Sequence, residues 1–215
     1  MFTAAIFDMD GLLLDSERCL MNAWLAAARE HGMPLSEEDF RYTVGRNSAE
    51  SRAWLIRVLD GSENYGRVHD RVSATLGPDH ERVFALKDGA IDLLDRLSEL
   101  RVPCAVASTT HRPLIEKRLA AVDALRFFAA VAGSDEVVRS KPDPAVYLLA
   151  AQRIGVDPAS CLVFEDSTSG ATAALRAGMA VVIVPDLVPP AIDVALAVLP
   201  SLAAATPHVK SWFAA

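Results

Sequence analysis

Phe2-Thr-Ala-Ala-Ile-Phe-Asp8-Met-Asp10-Gly11-Leu-Leu-Leu-Asp15-Ser16 is the stretch around which the rest of the chain is read. Residues 2–7 are nearly all apolar and end abruptly in acid. A short apolar run bounded by a glycine turn predicts a fully buried strand of a parallel sheet. Residues i and i+2 of an extended chain point the same way, so Asp8 and Asp10 can face one site. That site would lie at the strand's C-terminal end, where open α/β sheets bind their ligands. Gly11 lets the backbone turn where a residue bearing Cβ would be strained.

Two carboxylates so placed suit chemistry at phosphorus. One, ionised, can be the nucleophile and form an aspartyl-phosphate. The other can give a proton to the leaving oxygen and later take one from water. Their mutual repulsion would be relieved by a hard cation with oxygen ligands, Mg²⁺ above all. The plain alternative is an Asp-rich turn after a strand. Three later segments weigh against it. Pro103-Cys-Ala-Val-Ala-Ser108-Thr109-Thr110 is a second apolar run, ending in hydroxyls able to hydrogen-bond phosphate oxygens. Ser140-Lys141-Pro-Asp-Pro144 sets a lysine just before a helix that Pro144 can begin. Cys161-Leu-Val-Phe-Glu165-Asp166-Ser167 is a third apolar run ending in a carboxylate pair, followed by Gly170 and a small-residue helix.

In order and rough spacing these four segments resemble the haloacid dehalogenase superfamily, most closely its phosphatase and β-phosphoglucomutase branch. The resemblance covers essentially the whole chain. It implies Asp8 as nucleophile and metal ligand, its ionised form favoured by Mg²⁺ and Lys141, and Asp10 as general acid and base with its main-chain carbonyl on the metal. Asp166 completes the metal site, with Glu165 beside it as a further ligand or as support for one. Lys141 neutralises charge between Asp8 and the transferring phosphoryl group. Ser108 hydrogen-bonds a phosphoryl oxygen, helped by the main-chain N–H groups of residues 9, 10 and 109. Thr110 reads equally as a phosphate contact or as a turn residue. Dehalogenases and phosphonatases of the superfamily lack an acid at the position of Asp10, so an oxygen leaving group, and a phosphate ester, is implied.

A mutase of this branch carries Gly-x-x-Arg in its cap and a Ser-Lys pair after the second segment. Here Arg46 follows Gly45 directly, in Gly45-Arg46-Asn47-Ser48, and His111 stands where the lysine would be, with Arg112 next to it. These departures favour a phosphatase over a β-phosphoglucomutase-like sugar phosphomutase. Arg46, His111 and Arg112 can still grip a distal anionic group. A non-catalytic phosphometabolite sensor would be expected to have lost one of Asp8, Asp10, Lys141 or Asp166, and all four are present.

Residues 16–86 have a different character from the rest of the chain. Glu17 to His31, Ala49 to Leu59 and Tyr65 to Leu76 show helical spacing, and Ser36-Glu-Glu-Asp reads as a capped helix start. With no strand signal here, an all-helical insert is expected, matching the small cap of this branch and selecting substrate through Glu17, Arg46, Asn47 and His69. From Lys87 strands and helices alternate: strands at 103–108, 128–132, 161–165 and 181–184, helices at 88–100, 113–121, 144–154 and 169–177. The helix at 88–100 should turn Ile91, Leu94, Leu97 and Leu100 to one side, a last strand falls at 196–199, and a short helix closes the chain. Alternation of this kind means an α/β fold, a doubly wound, Rossmann-like parallel sheet with helices on both faces. Residues 1–15 and 87–215 would form this core and 16–86 the cap.

The 215 residues are 52% hydrophobic and 23% charged, which supports a sizeable core. A net charge of −7 argues against a nucleic-acid surface, since phosphate backbones select basic patches. Cys19, Cys104 and Cys161 are odd in number and show no metal-ligand spacing, so packing is their expected role. No signal peptide and no membrane-spanning run is evident, and a cytoplasmic monomer acting on a small phosphorylated metabolite is expected.

Overall fold

The computed structural model describes residues 1–46, 48–78 and 82–213. The chain divides into two compact units, one of Met1–Asp15 with Phe84–Ala215 and one of Ser16–Val83.

In the first unit β1 (Ala4–Phe7) pairs in parallel with β2 (Cys104–Ala107) on one side and β4 (Cys161–Glu165) on the other. With β3 (Phe128–Ala132), β5 (Ala180–Ile183) and β6 (Ala197–Val198) the sheet runs β3-β2-β1-β4-β5-β6, every pairing parallel. The order reverses around β1, so the crevice at its C-terminal end is the place for a ligand. All four residues of β1 are buried. Side chains alternate across the strand. Ala4 and Ile6 therefore join a cluster with α7 (Ala145–Ile154) and α8 (Thr168–Arg176). Phe7 faces the other way, stacked on Phe164 with ring centroids 4.8 Å apart, and Phe164 in turn meets Trp212 of the closing segment. Each buried side chain of this size contributes about 1.5–3 kcal/mol.

Two details differ from the sequence expectation. In α5 (Ala90–Glu99) the buried positions are Ala90, Leu93, Leu94 and Leu97, so Ile91 and Leu100 lie at the edge of the stripe rather than within it. Its buried spacing follows i, i+3, i+4, i+7, and the 3.6-residue turn selects that face. The C-terminal segment is chiefly a 3₁₀ run, Ala203–His208, containing Pro207, and only Val209–Trp212 (α9) is α-helical. Proline removes the N–H that an α-turn would use.

The second unit holds helices α1 (Ser16–Glu30), α2 (Glu37–Arg41), α3 (Ser48–Val58) and α4 (Ser62–Leu76). Ser36 caps α2 by accepting from the Asp39 N–H at 3.1 Å, while the Asp39 carboxylate accepts from the Ser36 N–H at 3.0 Å. Among the described residues no helix is long and apolar enough to cross a membrane.

Candidate active site

Four loops of the first unit carry the site, each leaving the C-terminal end of a strand or entering a helix. Asp8 follows β1, and its N–H donates to the Phe164 carbonyl at 3.1 Å, which ties the loop to β4. Gly11 takes φ +85°, and a Cβ there would run into the Asp166 carboxylate, so both the turn and the close approach exclude a side chain. Ser108 follows β2. Lys141 comes from the loop that enters α7, whose N-cap residue is Pro144. Glu165 ends β4.

These side chains converge. Lys141 Nζ lies 2.5 Å from Asp8 Oδ1 and 2.7 Å from Glu165 Oε1, and all three groups are buried. Carboxylate oxygens of Asp8, Glu165 and Asp166 all lie within 4.8 Å of one another. Glu165 is completely buried and accepts five hydrogen bonds. On Oε1 these come from Lys141 and from the Tyr147 hydroxyl at 2.6 Å. On Oε2 they come from the N–H groups of Asp166 and Ser167 and from the Ser167 hydroxyl, each at 3.0 Å. A Cβ on Gly170 would fall on this same carboxylate.

Burial pushes the Asp8 carboxyl up to about 8, with the charges of Glu165 and Asp10 adding to the effect and Lys141 opposing it. Lys141 acts in the direction the sequence led us to expect, favouring ionised Asp8, but removal of water from Asp8 outweighs the lysine alone. Burial works against the charge of Lys141 too, yet Asp8 and Glu165 raise its pKa above the ordinary value. Burial likewise opposes the Glu165 charge, but Lys141, Tyr147 and the Ser167 N–H hold its carboxyl below the usual range. The result is a buried cluster of three acids and one lysine whose carboxylate oxygens could hold a cation. All-oxygen donors select a hard one. Since donors already occupy both oxygens of Glu165, Asp8 and Asp166 are the carboxylates best placed to hold it.

Asp10 stands apart from that trio. Its Oδ2 accepts from the Thr110 hydroxyl at 2.8 Å, and its Oδ1 pairs with the Arg118 guanidinium at 3.2 Å. Ser108, buried, accepts the Thr110 N–H at 3.0 Å, which leaves its own hydroxyl proton to offer. Thr109 is exposed. His111 is the exposed N-cap residue of α6 (Arg112–Ala121). Arg112 turns outward to Glu116 at 2.8 Å and Glu136 at 3.4 Å. In the helical unit Glu17 lies in the first turn of α1, and Arg46 folds back on its own loop, bonding the Tyr42 carbonyl at 2.7 Å and lying over the Tyr42 ring. His69 stacks on Tyr65. Asn47 lies outside the described residues. Burial pushes the Cys104 thiol up to about 12 and that of Cys161 to about 11, which suits packing rather than reactivity.

Two residues of the site, Tyr147 and Arg118, are not marked out by the sequence motifs. Tyr147 sits in the apolar run Ala145-Val-Tyr-Leu-Leu, where its ring accounts for the position and its hydroxyl goes unannounced. Arg118 had a signal: it shares the buried face of α6 with Ile115 and Leu119, where a charge demands a partner.

A family model of haloacid dehalogenase-like hydrolases matches residues 2–178. The chain belongs to that family. It is 33% identical to validoxylamine A 7'-phosphate phosphatase of Streptomyces hygroscopicus subsp. limoneus, over 83% of this chain and 84% of the relative. It is 35% identical to a phosphorylated carbohydrates phosphatase of Thermotoga maritima, over 82% of each. The crystal structure of CbbY from Rhodobacter sphaeroides in complex with phosphate superposes with a TM-score of 0.71 at 25% identity, covering 95% of this chain and 96% of that one. By family and by these relatives the chain is an enzyme, a phosphoric monoester hydrolase of the haloacid dehalogenase type.

Proposed function

We propose that this enzyme is a Mg²⁺-dependent phosphatase that hydrolyses a small phosphate monoester, a sugar phosphate or a close relative of one, through an aspartyl-phosphate on Asp8. The observation that carries the reading is the buried cluster of Asp8, Lys141, Glu165 and Asp166, with Asp10 held apart from it by its own donors.

In this reading an Asp8 carboxylate oxygen attacks phosphorus and the bond to the ester oxygen breaks. Asp10 delivers a proton to the departing alcohol. Asp10 then takes a proton from water, whose oxygen attacks the same phosphorus, releasing inorganic phosphate and restoring Asp8. Lys141 and the Ser108 hydroxyl hold the phosphoryl oxygens as charge builds on them. Glu165 keeps Lys141 in place. Asp8 and Asp166, with the main-chain carbonyl of Asp10, would hold Mg²⁺, which when bound supplies charge neutralisation that favours ionised Asp8. We assign substrate selection to the helical unit as a cap, with Glu17, Arg46 and Asn47 as its candidate contacts, and place the enzyme in the cytoplasm, where its three free cysteines would stay reduced. The relatives' names point to phosphorylated carbohydrates. A mutase would need basic groups for a second phosphate, and Arg112 is instead occupied by Glu116 and Glu136.

The test is phosphate release from a panel of sugar phosphates and nucleoside monophosphates, with Mg²⁺ and with EDTA, and with glucose 1-phosphate isomerisation followed in parallel. Mg²⁺-dependent release from a few sugar phosphates is expected, lost by about 10³-fold or more in Asp8→Asn. Isomerisation without release would overturn the phosphatase reading, and an active Asp8→Asn the nucleophile.

A further inference from the structure

Arg118 puts a charge on the otherwise apolar buried face of α6. It lies on the buried face of α6 between Ile115 and Leu119, 9% exposed, with its guanidinium over the Phe84 ring at 5.0 Å. Placing a guanidinium there is costly unless it is paired. A partner it reaches is Asp10, 108 residues earlier, at 3.2 Å. The other oxygen of the same carboxylate is held by the Thr110 hydroxyl, and Thr110 is itself fixed by its N–H bond to Ser108. Each oxygen of Asp10 thus has its own donor, one from α6 and one from the loop after β2. A hydroxyl can donate or accept, so the Thr110 contact persists whether or not Asp10 carries a proton. Arg118 Nη1 holds the remaining oxygen through a single charge-assisted hydrogen bond, so both oxygens of Asp10 are engaged.

We infer that Arg118, assisted by Thr110, is a positioning residue that aims the Asp10 carboxylate at the leaving-group oxygen. The inference rests on the acid role proposed for Asp10. Proton delivery matters most when the leaving group is a poor one and little when it is a good one. A loss of aim therefore shows as a split between substrates, which a general weakening of the fold would not produce. Because kcat/KM ends at the first irreversible step, departure of the alcohol, it isolates the step in which Asp10 acts as acid.

The experiment measures kcat/KM for glycerol 2-phosphate, an alkyl ester, and for p-nitrophenyl phosphate, with circular dichroism to establish folding. Arg118→Met is expected to lose about tenfold or more with glycerol 2-phosphate and no more than about threefold with p-nitrophenyl phosphate. Thr110→Val shows the same split more weakly, and Arg118→Lys, which keeps a cation on a long stem, recovers most of the glycerol 2-phosphate rate. Equal losses on both esters, or none, in folded Arg118→Met overturn the inference. If that variant does not fold, Thr110→Val and Arg118→Lys decide in the same way: a split confined to Thr110→Val supports it, and uniform changes overturn it. Asp10→Asn separates the two layers. No split in Asp10→Asn removes the acid role and the inference with it, whereas a split there without one in folded Arg118→Met removes the inference alone.

Discussion

In the core unit Lys141 reaches Asp8 across 133 residues of sequence, and both side chains are nearly withdrawn from water. In the helical unit Arg41 pairs with Glu37 and Arg67 with Glu63, each one helical turn away and open to solvent. One of its longer pairs, Arg71 with Glu30, joins α4 to α1 and is also about half exposed. Exposed pairs of this kind are screened and contribute little. Buried ones carry the cost of two desolvated charges, so every partner matters and removal of one strands the rest. The core thus concentrates its electrostatic risk in one site, while the helical unit spreads charge over a tolerant surface.

The contrast is broken most directly by Lys141→Met. It leaves Asp8 and Glu165 facing each other without a cation, and a loss of about 10³-fold in activity with about 3–5 kcal/mol in stability is expected. Phosphate release and urea unfolding check the two parts, and retention of both would mean the buried lysine is not what balances the acids. Gly170→Ala should come next. Alanine is favoured over glycine in a helix by about 1 kcal/mol, so this exchange in α8 would ordinarily stabilise. Here the new Cβ falls on the Glu165 carboxylate. A net loss of about 1–3 kcal/mol and a clear fall in kcat are predicted, and a rise in Tm would show that Glu165 can move aside without consequence. The smallest effect belongs to Arg71→Ala in the helical unit. Thermal unfolding should shift by no more than about 2 °C and kcat should be unchanged. A larger shift would mean that this unit, too, depends on a specific charge pair.

What is legible in the sequence depends on the range of the signal. Asp8, Asp10, Ser108, Lys141, Glu165 and Asp166 are legible because each ends an apolar run or precedes a helix, and a parallel sheet brings strand ends together. The six strands follow from runs of small and β-branched residues set between helical patterns. The face of α5 is legible at Leu94 and Leu97, but Ala90 and Leu93 rather than Ile91 and Leu100 complete its buried stripe, in a helix that packs against the 203–208 run. The partners of Arg46 and Arg112 are not legible in this way: Arg46 bonds the Tyr42 carbonyl, and Arg112 pairs with Glu116 one turn away and with Glu136 from a distant segment.

The sequence by itself determined the fold class, the helical insertion after the first strand and the acids and lysine of the candidate site, because periodicity and strand-end chemistry are local properties of a chain. Only the tertiary structure decided that burial would raise Asp8, that five donors would converge on Glu165, and that Arg118 would reach Asp10. Each of these depends on which groups from distant segments share a water-free space, and desolvation and pairing there are set by three-dimensional proximity, which no local pattern encodes.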